Sequence, residues 1–445
     1  MQETPKSHRL ERIWRGIKTT IWQGIKKILP RGFRLWLRET KERWLRIARE
    51  WLWERHLLRN VQQNYAKKIK ELSNRKDGIK CVFFVSCNTK WNGDALYKKL
   101  DADSRFAPMI LYLPLPSDYT ETNEDDNRRF FTARGYHFAV IADAADLQTH
   151  KPDIVFFQQP WAVLLKGDLT PASVSKYALC LYFHYGISAA LSPSSWDRQS
   201  VFYKTLCRNF VFNSAVEEQF NTRGAYNTLA TGHPKMDAYL EPVKINPWKD
   251  IKKFKIIYAP HHSIDHYFSS PIRFATFDWN GRELLDWAKI HTDTEWVFKP
   301  HPRFRYAVLN SGIMNEAETD DYYGEWNKIG TVYEQGDYFD MFRTADLLIT
   351  DCFSFLTEWL PTEKPCIHLL TVNDARKMHS PVHEKSSRHY YKVQNIGELN
   401  AAMEMLAVRR EDPMKAARIH DAKNIPMDSA KNIYQWLIDT IGGEQ

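Results

Sequence analysis

The sequence contains no G-x-G-x-x-G and no G-x-x-x-x-G-K-[ST], so neither a nicotinamide fingerprint nor a P-loop announces a nucleotide site. It lacks H-E-x-x-H and any C-x-x-C pair. Its six cysteines (Cys81, Cys87, Cys180, Cys207, Cys352, Cys366) are scattered, most of them in apolar runs. That pattern excludes a disulfide-framed secreted domain and a cysteine-based zinc site. No stretch approaches the ~20 consecutive apolar residues needed to cross a bilayer. The opening MQETPKSHRLERIW carries no apolar core of a secretion signal, so a reducing cytoplasm is the expected setting.

What is present is enough for two domains of ordinary size plus an appendage: 445 residues, 43% hydrophobic and 26% charged. The net charge of +8 is unevenly placed. Residues 1–72 hold 19 Lys and Arg against 7 Asp and Glu, so the remainder is mildly acidic.

In that basic segment Leu10, Ile13, Trp14, Ile17, Ile21, Ile25 and Ile28 recur at helical spacing, with Arg12, Arg15, Lys18, Lys26 and Lys27 largely off the stripe. Pro30-Arg31-Gly32 breaks the pattern, and Trp44, Ile47, Ala48, Trp51 and Leu58 resume it among Arg43, Arg46, Arg49 and Arg59. Residues 1–77 are therefore expected to be an amphipathic helical segment. Six of the sixteen tryptophans fall here, and Trp mixed with Lys and Arg suits an anionic lipid surface. Docking on the body or pairing with a second copy would use the same features. No nucleic-acid-binding fold pattern accompanies them, and nucleic acid is not an expected partner.

From residue 78 the texture changes to short apolar runs. They are Ile79–Ser86, Met109–Leu113, His137–Ile141, Ile154–Gln158, Ala178–Phe183 and Asn209–Phe212, then Phe254–Ala259, Glu295–Lys299, Thr331–Tyr333, Leu347–Thr350 and Cys366–Leu369. Runs of this length, spaced for intervening helices, read as buried parallel strands. The expected architecture is α/β: two Rossmann-like domains, 78–245 and 246–445, facing a central cleft. Ligands in such folds bind at the carboxyl ends of strands, where His184, His233, His261, His262, Lys299, His301, Asp351 and Ser354 all fall.

Each constellation has a chemistry. His184, followed by Gly186 at a sharp turn, is a candidate general base for an acceptor hydroxyl, an effect of ~10²–10⁴-fold. Lys299-Pro300-His301-Pro302-Arg303 holds two cations and a histidine between prolines of fixed φ, which suits a diphosphate clamp. Thr350-Asp351-Cys352-Phe353-Ser354 runs into a helix whose N-terminus favours phosphate. Glu358 would reach a ribose hydroxyl or compensate the helix dipole. His261, His262 and His266 with Asp265 lie too loosely spaced for a metal motif, and substrate contact is expected of His261 and His262, with no metal and no cofactor.

These residues together resemble, over roughly residues 180–370, the CDP-glycerol glycerophosphotransferase family of teichoic-acid and capsule enzymes, which implies a glycosyltransferase-B arrangement of the two domains. The matches are His184 with Gly186, Gly232-His233-Pro234-Lys235-Met236-Asp237, Tyr258-Ala259-Pro260, Lys299-Pro300-His301-Pro302 and Thr350–Ser354. The chain departs from the family at His261-His262-Ser263, at Cys352-Phe353 and at Glu363. The resemblance implies His184 as catalytic base, with His301 at the reacting phosphate and Thr350, Asp351 and Ser354 around the donor. It further implies CDP-glycerol or a related CDP-polyol as donor, a lipid-linked or polymeric glycan as acceptor, and action at the inner membrane face. A glycosyltransferase of the same architecture, or a nucleotide-binding membrane adaptor, would share most of these features.

Overall fold

The computed structural model describes residues 31–445 apart from 76–77, 116–121, 162, 164, 188–192, 265–273, 335, 372–386 and 443–445, with side chains described from residue 48 except 193–195 and 197–198. The helix expected over 9–28 lies outside the described residues, as do Asp265 and His266.

The chain divides into two compact units, Met1–Asn60 and Val61–Gln445. One helix, Arg31–Ser73, runs unbroken across that division, with Gly32 in its first turn. In the first unit Trp51, Leu52 and Trp53 are each more than half exposed. None of the helices among the described residues is long and apolar enough to cross a membrane. In the second unit Val61, Tyr65 and Leu72 are buried. The Tyr65 hydroxyl donates to the Thr205 carbonyl at 2.7 Å, and Lys68 pairs with Asp153 at 2.8 Å. The last turns of this helix thus belong to the α/β body.

That body is two all-parallel sheets. The first contains β1 (Ile79–Val85), β2 (Phe106–Tyr112), β3 (Phe138–Val140), β4 (Ile154–Phe157), β5 (Leu179–Phe183), β6 (Arg208–Val211) and β7 (Thr228–Ala230), in the order β3-β2-β1-β4-β5-β6-β7. The second contains β8 (Phe254–Ala259), β9 (Thr294–Phe298), β10 (Gly330–Val332), β11 (Leu347–Thr350), β12 (Cys366–Leu369) and β13 (Tyr391–Val393), in the order β10-β9-β8-β11-β12-β13. The fold class read from the sequence is the one observed.

Helices cover both faces of each sheet, so the strands are apolar on both sides. Along β8, Ile256 and Tyr258 enter one core with Trp296, Phe298 and Trp326, while Ile257 and Ala259 enter the other with Val297, Leu348 and Trp359. Period-2 alternation therefore builds both layers. Trp326 is fully buried and stacks on Phe298 at 5.3 Å; truncating such a ring to alanine costs about 3–5 kcal/mol.

Strand order reverses between β1 and β4 in the first sheet and between β8 and β11 in the second, which places a crevice at each reversal. The final helix, Ser429–Ile441, returns to the first sheet. Trp436 packs on Phe210 at 5.2 Å, Tyr434 donates to Asp103 at 2.6 Å, and Asp237 accepts the free N–H groups of Ser429 and Ala430 at 2.8 and 2.7 Å. Gly232, at φ +85°, leaves the room this return needs, since a Cβ there would meet Ser429 at 3.2 Å.

Candidate functional site

Two loops at the second reversal carry the histidines. After β8 the chain turns through Pro260-His261-His262, and after β9 through Lys299-Pro300-His301-Pro302-Arg303. The His301 N–H donates to the Pro260 carbonyl at 3.1 Å, joining them. The His261 and His301 rings lie 5.0 Å apart, and His262 stands 4.0 Å from His301.

Both His261 and His301 use one local device. Nδ1 of His261 accepts the N–H of Ser263 at 3.2 Å, and Nδ1 of His301 accepts the N–H of Arg303 at 3.1 Å. An Nδ1 that accepts is unprotonated, so the neutral ring carries its proton on Nε2, as inferred from these partners. Burial first, then the neighbouring imidazoles, holds both rings well below the usual histidine range. They are neutral donors at pH 7. For His301 the cations Lys299 and Lys90 add to the effect.

One ring nitrogen each of His261, His262 and His301 lies within 4.8 Å of the others, the spacing of a candidate metal centre. A metal-bound imidazole normally donates its second N–H outward. Here that second nitrogen accepts a backbone N–H in two of the three rings, so the geometry suits an acceptor-rich anion better than a cation.

Lys299 is buried, its ammonium 4.9 Å from the Tyr338 ring and 5.8 Å from Tyr333 and Phe355. Burial pushes it down to about 8, with Lys235 acting in the same direction and Cys352 and Glu358 opposing. Lys235 reaches across from the segment after β7 to pair with Glu358 at 2.8 Å, and Tyr338 hydrogen bonds both partners. Lys299 and Lys235 outnumber the one carboxylate in that cluster, a net positive balance that favours an anionic ligand.

The other expected site residues fall elsewhere or are already engaged. Both Asp351 oxygens are taken, by the N–H of His261 at 2.7 Å and by the N–H and hydroxyl of Thr276 at 2.8 and 2.9 Å. Burial pushes its carboxyl up to about 7 against the pull of those bonds. Asp351 positions the His261 loop. The fully buried Thr350 hydroxyl donates to the Ala259 carbonyl at 2.7 Å and accepts from the Cys352 N–H at 2.9 Å. Glu358 is completely buried in its pair with Lys235, which accounts for it better than a ribose or the helix dipole. Ser354 lies half-buried beside Cys352 Sγ at 3.2 Å, in a helix, Phe353–Trp359, of only seven residues. Arg303 is half-buried next to His301.

His184 does not join the histidine cluster as described. Its ring packs against Tyr182 at 4.8 Å, Phe220 at 5.4 Å and Tyr203 at 5.9 Å, and burial pushes it down to about 4. His233 repeats the His261 device: Nδ1 accepts the Lys235 N–H at 3.2 Å, and Nε2 donates to the His184 carbonyl. It locks two loops together. Gly186 has no left-handed φ, and a Cβ there would meet nothing within 4 Å, so no turn requires it.

Lys90 and Lys235 were not among the expected site residues. Lys90 follows β1, at the first reversal, and its charge helps to hold the His301 ring in its neutral form. Its signal in the sequence was its place after the first strand, in a segment without a histidine to mark it.

No family model matches the chain, and no curated protein does. Solved structures do. MnaA of S. aureus with UDP superposes with a TM-score of 0.57 at 14% identity, covering 83% of this chain and 99% of that one. The UDP-GlcNAc 2-epimerase of Neisseria meningitidis bound to UDP-GlcNAc gives 0.54 at 11%, covering 81% and 99%. The Methanocaldococcus jannaschii UDP-GlcNAc 2-epimerase in complex with UDP-GlcNAc and UDP gives 0.53 at 14%, covering 81% and 99%. These likenesses correct the expectation of a CDP-glycerol glycerophosphotransferase, with its CDP-polyol donor and glycan acceptor: the similar structures are UDP-GlcNAc 2-epimerases, holding UDP and UDP-GlcNAc. The physical reason is that the matched motifs are strand-end turns. His-Pro-x and its relatives fix a ring against the backbone and carry no information about which alcohol or sugar is bound. At these identities the likeness establishes one thing, the two-domain fold.

Proposed function

We propose that the chain is an enzyme acting on a UDP-linked sugar, with inversion at C2 of a UDP-N-acetylhexosamine as its reaction. The observation that carries this is the pair of neutral, tautomer-fixed histidines, His261 and His301, beside the buried Lys299 at a strand-order reversal. Their Nε2–H groups and the ammonium form a donor set for a diphosphate. The fold shared with the UDP-GlcNAc 2-epimerases supports the choice of UDP and of reaction.

C2 of such a sugar has no adjacent carbonyl to acidify its proton. Inversion there requires the C1–O bond to break as the C2 proton leaves, its electrons passing to the departing UDP. Both bonds then re-form, with the proton returned to the opposite face. UDP has to stay bound between the two halves, which is the task a diphosphate clamp performs. Incubation with UDP-GlcNAc in D₂O should give the manno epimer with deuterium at C2 by proton NMR. Unchanged UDP-GlcNAc with no exchange would overturn the reading.

The expected location is the inner membrane face, held peripherally. Exposed Trp51, Leu52 and Trp53 lie among exposed Arg49, Arg55 and Arg59 on one helix, with Arg55 over the Trp51 ring at 5.2 Å, a composition suited to an anionic interface. Pelleting with anionic vesicles, reduced by Trp51→Ala with Trp53→Ala, tests it; equal pelleting of the variant would count against it.

A further inference from the structure

The first sheet has a strand-order reversal of its own, between β1 and β4, and the diphosphate site uses only Lys90 from it. The loops leaving these strands bring together side chains of another kind. Trp161, after β4, is half-exposed and meets Tyr185, after β5, edge-on at 5.6 Å. Tyr185 is itself 39% exposed. The Lys90 ammonium lies 5.5 Å from the centre of the Trp161 ring. Asn92 fixes the Tyr185 backbone, its Nδ2 donating to that carbonyl at 2.6 Å. Lys90, Asn92, Gln158 and Tyr185 also line a small pocket in this wall. Just behind, Gln159 accepts from Ser86 at 3.0 Å while its Nε2 is buried without a partner among the described residues.

The part-exposed indole, with the phenol edge-on beside it, gives an apolar surface for the C–H face of a pyranose. An ammonium and amides at its edge supply donors for hydroxyl and acetamido oxygens. The loop carrying Tyr185 is tied to the diphosphate site, because His233 donates to the His184 carbonyl and accepts the Lys235 N–H, and Lys235 and Lys299 both meet Tyr338. A sugar on Trp161 would have its anomeric end toward Lys90 and its diphosphate toward His301.

We propose that Trp161, Tyr185 and Lys90 form the sugar subsite, with Trp161 as platform and Lys90 at the bond between sugar and diphosphate. The inference rests on the UDP-sugar reading above and assigns the half of the substrate which that reading leaves unplaced. Cation–π and stacking contacts of this kind correspond to roughly five- to tenfold in affinity each.

The test measures UDP and UDP-GlcNAc binding separately by titration calorimetry on the full chain. Trp161→Ala should weaken UDP-GlcNAc about tenfold and leave UDP within twofold, and Trp161→Tyr should recover most of the loss. Lys90→Gln should weaken both, since the cation serves the diphosphate as well. Equal weakening of the two ligands by Trp161→Ala, or no change in either, would overturn the subsite while leaving the UDP site standing. Failure of the unaltered chain to bind UDP would overturn the UDP-sugar reading, and the subsite with it.

Discussion

His261 and His301 approach to 5.0 Å with their Nδ1 atoms turned back to the backbone N–H two residues ahead, so both rings are set as Nε2–H donors from neighbouring loops. If that donor is what matters at His301, a residue that keeps it should keep function. Gln places an N–H near the position of Nε2. We expect His301→Ala to weaken UDP binding by about 1.5–3 kcal/mol, roughly ten- to over a hundredfold, with His301→Gln losing much less. Calorimetric titration of both variants checks this, and equal losses would argue against a donor role.

Lys299 gives the site a pH dependence of definite sign. Its ammonium is pushed down to about 8 by burial, so it is charged below that pH and neutral above. Affinity for UDP-GlcNAc should hold from pH 7 to about 8 and decline toward pH 10. Lys299→Arg stays protonated throughout and should flatten the profile whatever its absolute affinity. A wild-type profile flat to pH 10 would remove Lys299 from the diphosphate.

Asp351 acts through the backbone it holds. Asp351→Ala would leave the His261 N–H and the Thr276 N–H and hydroxyl without their acceptor in a buried place, at a cost of about 2–4 kcal/mol. A lowered Tm should accompany loss of UDP affinity, with both partly restored in Asp351→Asn, which keeps one acceptor oxygen. Normal stability with lost binding would instead place the carboxylate at the ligand.

His184 should behave as a packing residue. Its ring is enclosed by Tyr182, Tyr203 and Phe220, so His184→Ala should lower stability by about 2–4 kcal/mol through the cavity it leaves. The kcat of the folded fraction should stay within severalfold of wild type. A kcat loss of a thousandfold at unchanged Tm would restore the catalytic role that its place after a strand suggests.

The sequence made the strands legible because both sheet faces are buried: β8, β11 and β12 appear as largely apolar runs, each carrying one polar residue (Lys255, Thr350 and His368), with the expected limits. The two strands it did not disclose, β7 and β13, are three-residue edge strands, Thr-Leu-Ala and Tyr-Lys-Val, and β13 carries a lysine at its centre. The site was legible as a set of strand ends and much less so as roles. Histidine after a strand looks the same whether its ring enters an aromatic core, as at His184, locks a neighbouring loop, as at His233, or offers Nε2–H beside a cation, as at His301. The partners that decide are distant in sequence: Phe220 for His184, the His184 carbonyl for His233, the Pro260 carbonyl and the His262 ring for His301. Lys235 and Glu358 were visible singly, and only the fold shows that they neutralise each other.

The proposed recognition of a diphosphate by His261, His301 and Lys299 can be tested by separating the diphosphate from the nucleoside. The direct measurement is the affinity of the full chain for UDP and for uridine under the same conditions. The account predicts UDP binding at least a hundredfold tighter, about 2.7 kcal/mol, with the difference largely lost in His301→Ala. Equal affinities for the two, or a difference untouched by that substitution, would contradict it.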